Sequence, residues 1–215
     1  MPAYRSAAEA EIREAVVSKI RMERPGYRII HEINARDFGN RIDVLAVGPA
    51  EIIAVEIKSE KDKLDRLPAQ IAAMRGAAHH TIAAIHEKFL VPAPWAKGYK
   101  AVQAPKEAKG ATIWAYPEAG AEAGRTYGCA AWDFPRQAVT AMLPADAIHM
   151  LWRAELHELC NRLHVSLGKR PNMAQMVNAL RWNCTGSELT KGICTMLRAR
   201  KCIEADPEIV EVRAA

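Results

Sequence analysis

The first third of the chain changes its apolar period twice. Between residues 6 and 24, Ile12, Val16 and Ile20 recur four apart among polar neighbours, which predicts an amphipathic helix opening near Ser6 and stopped by Pro25-Gly26. Residues 27–34 then read as a first strand and residues 35–40 as a polar turn. Two more apolar runs, Asp43-Val44-Leu45-Ala46-Val47 and Ile52-Ile53-Ala54-Val55 ending in Glu56-Ile57-Lys58, flank Gly48-Pro49-Ala50 and predict a hairpin. Beyond a polar stretch, Leu67, Ile71 and Met74 share one face of a helix over about residues 65–78, with Pro68 suited to its first turn. Residues 81–86, 112–116 and 126–132 suit strands, and a short helix is expected around residues 95–103.

After a proline-bearing junction at residues 133–144, the period becomes helical throughout. Ile148, Leu151, Trp152, Leu156, Leu159 and Leu163 predict one helix over residues 145–164. Asn172-x-x-Gln175 and Thr185-x-x-Glu188 are capping boxes, each opening an apolar-periodic run, and the short link Trp182-Asn183-Cys184 has helix-turn-helix length. Residues 202–212, turning at Ala205-Asp206-Pro207, read as a hairpin. Three helices and a terminal hairpin resemble a winged helix-turn-helix.

Half of the 215 residues are apolar, enough for one sizeable core or a core with a satellite. No apolar run is long enough to span a membrane, and the first thirteen residues lack a leader pattern, so a cytoplasmic, intracellular protein is expected. The five cysteines (129, 160, 184, 194 and 202) show no metal spacing and read as reduced thiols. Histidines 31, 79, 80 and 86 do not match a closed zinc site either. The net charge of +5 is a mild bias toward polyanions. It is uneven: residues 162–201 hold eight basic side chains against Glu188 alone. On the second helix of the pair, Lys191, Thr195 and Arg198, with Arg200 just beyond, are candidate DNA contacts, against the plainer reading of a solvated satellite. Lys88, Lys97, Lys100, Lys106 and Lys109 form a second basic stretch, and Arg36 and Arg41 flank the polar turn, as phosphate contacts or simply as loop charges.

The hairpin concentrates the chemistry. A turn centred near Pro49 sets Asp43 opposite the neighbourhood of Glu56, and alternation points Glu56 and Lys58 the same way. Two carboxylates and an ammonium converging at the end of an apolar strand are costly unless paired or metal-bound. Mg²⁺ takes oxygen ligands, is held by one or two carboxylates and keeps several waters. It would polarise a phosphate and acidify a water, with Lys58 orienting that water or offsetting charge on phosphorus. The alternative is an edge strand whose Glu-Ile-Lys faces solvent.

Asp43, a spacer of a dozen residues and Glu56-x-Lys58 resemble the PD-(D/E)XK nuclease superfamily, with Ile42 where the name has proline. Glu56-Ile57-Lys58-Ser59, Asp62, Leu64, Arg66-Leu67-Pro68 and Gln70 are similar to a small phage and bacterial group reading E-I-K-S-x-x-D-x-L-x-R-L-P-x-Q. Glu9-Ala10-Glu11-Ile12-Arg13 and Ile30-His31-Glu32-Ile33 stand where that group has an acidic helix and a first strand. The likeness covers about residues 8–90. It implies an α/β, restriction-endonuclease-like mixed sheet flanked by helices. It also implies Mg²⁺, or Mn²⁺ as substitute, on Asp43 and Glu56, catalytic roles for Lys58 and Gln70, and a further metal carboxylate from Glu11 on the first helix. Glu11 reads equally as a solvated charge, and Gln70 as an ordinary exposed residue, since Met74 stands where the superfamily often has tyrosine.

The expectation is thus a nuclease core over residues 1–134 and a helical, winged-helix-like module over residues 145–215. Together they would make a Mg²⁺-dependent deoxyribonuclease, an endonuclease in type, acting on DNA and not on membranes. The alternative is a non-cleaving DNA-binding or regulatory protein on the same scaffold. A homodimer, which a junction resolvase would need, is compatible with the sequence but not marked in it.

Overall fold

Ser6 opens the first helix as its spacing predicts, its hydroxyl accepting the Glu9 amide at 3.2 Å. In the computed structural model, which describes residues 6–35, 40–95, 101–118, 132–138 and 140–210, helix α1 (Ala7–Glu23) buries Ile12, Val16, Val17 and Ile20. Strands β1 (Arg28–Asn34), β2 (Arg41–Val47) and β3 (Ile52–Lys58) follow as an antiparallel meander. Helix α2 (Leu67–Arg75), with Pro68 in its first turn, leads to β4 (His80–His86), which lies parallel to β3. A crossover helix is the usual way to join parallel neighbours.

The short helix expected around residues 95–103 falls largely outside the described residues; at its far end β6 (Val102–Gln103) pairs with β5 (Val91–Pro92) in a small ladder. Pro92 and Pro94 favour extended backbone before them, and the Ala93 amide donates to the Ala101 carbonyl at 2.9 Å. Strand β7 (Thr112–Tyr116) joins β4 in parallel, completing the five-stranded mixed sheet β1-β2-β3-β4-β7. The expectations for Arg36, Lys97, Lys100, residues 126–131 and residues 211–212 fall outside the described residues.

Alternation sorts the strands' side chains onto two faces. Val44, Ala46, Ile53, Val55 and Ile57 pack with α1 and with Trp114, whose ring stacks on Trp132 at 4.9 Å. Leu45, Val47, Ile52 and Ala54 pack with Leu67, Ile71 and Met74 of α2. Asp43, Glu56 and Lys58 fall in phase with this second set, so the α2 side of the sheet carries the site.

The predicted helix over residues 145–164 is broken. A 3₁₀ turn (Ala145–Met150) precedes α3 (Arg153–Arg162), and Leu151 and Trp152 between them are extended. Arg200 sits at this break: it donates to the Met150 carbonyl at 2.8 Å, pairs with Glu155 and covers the Trp152 ring at 4.3 Å. Helices α4 (Met173–Asn183) and α5 (Gly186–Ala199) open on the two capping boxes. No hairpin forms within residues 201–210. Instead this tail lies along the outer edge of β1, where His31 N donates to the Glu204 carbonyl (2.8 Å) and Asp206 N to the Ile29 carbonyl (2.9 Å). An edge strand's unpaired groups are thereby partly satisfied.

Leu156, Leu159, Leu180 and Leu197 belong to the same apolar cluster as Leu45, Ala54 and Met74, so the C-terminal helices and the sheet share one core. No helix among the described residues is long and apolar enough to cross a membrane.

Candidate active site

The antiparallel register pairing Val44 with Val55 carries Asp43 to the level of Glu56 on the neighbouring strand. Asp43 is held from the partner strand itself, its Oδ2 accepting the Ile57 amide at 2.8 Å. Glu56 is almost fully buried, and one of its oxygens does all the bonding: Oε1 accepts Lys58 Nζ at 2.6 Å and also Gln70 Nε2. Its Oε2 is buried without a hydrogen-bond partner, as is Oε1 of Gln70. Burial, and next the charge of Asp43, push the Glu56 carboxyl up to about 8, against the pull of Lys58 and Gln70. Asp43 is raised as well, by burial first, although the Ile57 amide and Arg13 oppose it.

A second set of groups closes the site from the α1 side. The buried Arg13 donates to Glu9 Oε1 (2.6 Å), to Glu32 Oε1 (2.8 Å) and to the Asp43 carbonyl (2.6 Å), and lies 3.8 Å from Asp43 Oδ1. Glu32 adopts φ 54°, a region that side-chain-bearing residues seldom occupy, and the β1–β2 ladder passes over it. From there its carboxylate meets Arg13 on one side and Arg41, at 3.4 Å, on the other. His31 Nδ1 lies 3.3 Å from Arg13, and burial together with that guanidinium lowers its pKa.

The structure therefore brings Asp43, Glu56, Lys58 and Gln70 together, and it buries Gln70 rather than exposing it. Glu11 is not brought to them: it is exposed on α1, and the buried carboxylate of that helix is Glu9, two residues earlier. Two residues along a helix is a rotation of about 200°, to the opposite face. Glu9 and Arg13 were detectable as an i, i+4 pair of opposite charge on the helix's inner side. Glu32 had no such signal, because its position depends on an irregular backbone.

Among the expected DNA contacts, Lys191 is exposed and Thr195 partly so. Arg198 and Arg200 are corrected: both are buried, and Arg200 is committed to Glu155 and Met150. The helical wheel places Arg198 toward solvent only if α5 shows that flank. Instead the chain end folds back across it, Ile209 N donating to the Arg198 carbonyl at 2.8 Å.

A cleft of about 280 Å³ opens over Asp43, Lys58 and Gln70, with Arg41, Lys63 and Arg66 at its mouth beside Asp62 and Asp65. Among the described residues, no group of three or more His, Cys, Asp or Glu converges as a preformed cation site. Asp43 at the cleft, with Glu56 beside it carrying one buried oxygen without a hydrogen-bond partner, nevertheless suits Mg²⁺, which is commonly held by one or two carboxylates with water completing its shell.

Residues 3–93 match the model of the family described as Bacteriophage P4 protein cII. The match covers less than half of the chain but contains Arg13, Asp43, Glu56, Lys58 and Gln70. No curated protein and no solved structure matches the chain.

Proposed function

We propose that this chain is a divalent-metal-dependent deoxyribonuclease of the PD-(D/E)XK type. The observation that carries the reading is Glu56: buried beside Asp43 at the end of an apolar strand, tied through one oxygen to Lys58 and Gln70, with the other oxygen partnerless. The order of elements, a helix, an antiparallel meander, a crossover helix and a parallel strand, supports a restriction-endonuclease-like core. The match to a phage family supports a phage-borne setting.

Asp43 and Glu56 would hold Mg²⁺, or Mn²⁺ in its place, which when bound supplies Lewis acidity toward a phosphate oxygen and an acidified water. The chain's own residues do the rest. Lys58 stands beside the carboxylates with its ammonium at the cleft, placed to donate to phosphate oxygens as charge builds on phosphorus. Gln70 fixes the Glu56 carboxylate, and the Ile57 amide fixes that of Asp43, so neither has to reorganise. Arg41, Lys63 and Arg66 at the mouth suit the DNA backbone. In the C-terminal helices, Lys191 on the exposed side of α5 remains the best candidate for a further phosphate contact in a winged-helix-like role.

A second reading has a specific observation in its favour. Arg13 already supplies a positive charge among Glu9, Glu32 and Asp43, which suits a scaffold that binds DNA without cutting it. Plasmid and single-stranded DNA incubated with Mg²⁺ or Mn²⁺ separate the two. The nuclease reading expects cleavage of one or both substrates that Lys58→Ala abolishes while DNA affinity stays near wild type. Binding without cleavage under either metal, or equal cleavage by Lys58→Ala, removes it.

A further inference from the structure

A larger groove, about 780 Å³, lies between β1, residues 149–153, Met173 at the start of α4 and the tail at residues 200–204, and Arg41 borders both it and the cleft over Asp43, Lys58 and Gln70. On its wall Trp152 exposes 57 % of its surface. Its indole is nevertheless held in place. Arg200, itself buried and anchored by Glu155 and the Met150 carbonyl, covers the ring at 4.3 Å. A fixed, exposed aromatic face is what a stacking platform for a nucleobase requires. Around it, Arg153 and Lys201 are exposed, and Arg41 is half exposed at the end that leads to the cleft. The acidic groups on the wall are Glu32, already paired with Arg13 and Arg41, and Glu204.

We infer that this groove seats a single strand of DNA, one base stacking on Trp152 while Arg41, Arg153 and Lys201 meet its phosphates and lead the strand to the cleft over Asp43 and Lys58. The inference rests on the proposed nuclease function and narrows its substrate to single-stranded DNA. A duplex keeps its base faces stacked on one another and offers none to an isolated ring, whereas an unpaired strand exposes them.

The test is fluorescence anisotropy of the full chain with a labelled oligothymidylate and with a labelled duplex, in chelator so that no cutting intervenes. Wild type is expected to bind the single strand more tightly than the duplex. Trp152→Ala should weaken the single strand by about fivefold to 150-fold, the range for losing one aromatic–base stack. Duplex affinity and the melting temperature should stay near wild type, and Trp152→Phe should restore most of the single-strand affinity. Arg153→Gln should flatten the salt dependence for the single strand by about 0.7 in log–log slope. An unchanged single-strand affinity in Trp152→Ala, or a wild type that prefers duplex, overturns the groove. Cleavage of the same oligonucleotides with Mg²⁺ is scored apart. Trp152-dependent binding without cutting removes the nuclease reading and leaves the groove, while cutting of single strands indifferent to Trp152 does the reverse.

Discussion

Glu51, one residue before β3, and Glu56, near its far end, are both almost fully buried, and their carboxyls shift in opposite directions. Burial raises both. For Glu51 it is outweighed by His80 (3.0 Å), the Tyr27 hydroxyl (2.6 Å), the Ala138 amide and Arg24 (3.0 Å), which together bring its pKa down to about 2. Glu56 has donors on one oxygen only and rises to about 8. The first is a saturated structural anion; the second keeps capacity for a ligand. Glu51→Gln is therefore expected to cost about 3 kcal/mol in stability, as for a broken buried ion pair, with no loss of DNA affinity. Because the folded value of Glu51 lies below its ordinary 4.5, its stabilisation is present above that pH and fades as the pH falls toward about 2. Melting temperatures recorded between pH 5 and 2.5 should fall more steeply for wild type than for Glu51→Gln; parallel curves would show that Glu51 is not the anchor. The sequence made Asp43, Glu56 and Lys58 legible because two strands around one turn fix their phase. Glu51 was not legible, since Arg24 and Tyr27, His80 and Ala138 reach it from three separate places in the chain.

The same division between local and distant causes holds for the elements. Ser6, Asn172 and Thr185 mark helix starts through bonds to a residue three positions on, so the pattern alone located them. The break before α3 was invisible because Arg200, some fifty residues away in sequence, occupies the Met150 carbonyl. Within residues 201–210 the tail departs from the expected hairpin for a related reason. Its partner is not its own continuation but the edge of β1, and an extended polar-apolar segment carries no label saying which edge it will join. Asp206 is the clip: its Oδ2 accepts the Ile29 amide at 3.0 Å and its Oδ1 meets Arg21 at 2.7 Å. Arg28, buried beneath, donates to the carbonyls of Leu197, Arg198 and Asp206, tying the end of α5 to the same edge. Asp206→Ala should lower stability by about 1–2 kcal/mol, the scale of one buried amide left without its acceptor plus a weak ion pair. Hydrogen exchange should locate the effect, with the Ile29 and His31 amides losing protection while those of β3 and β4 do not. Uniform loss across the sheet would mean that the tail braces the whole fold rather than one edge.

At the scale of the molecule, amphipathic helices announce that one face is buried but not against what. Residues 145–210 have the capping, spacing and charge of a self-contained module, yet Leu156, Leu159, Leu180, Ile193 and Leu197 pack into the cluster that includes Leu45, Ala54, Ile71 and Met74. The α2 helix is only nine residues long and cannot by itself cover that side of a five-stranded sheet. Without the C-terminal helices the strands carrying Asp43 and Glu56 would expose a contiguous apolar face next to the site, and such faces drive association. A chain ending at Pro144 should accordingly fail to melt cooperatively, bind a hydrophobic dye and aggregate, while the intact chain unfolds in one transition seen alike by circular dichroism and tryptophan fluorescence. A fragment of residues 1–144 that stayed monomeric and melted cooperatively near the intact chain's temperature would mean that the two parts fold separately. In the expected case the helices serve the site in two ways at once. They complete the core that holds Asp43 and Glu56 in register, and through Trp152 and Arg200 they form the far wall of the groove leading to it. Loss of cleavage on deleting them would then report lost folding before lost DNA contact, and Trp152→Ala in the full chain is the variant that isolates the second effect.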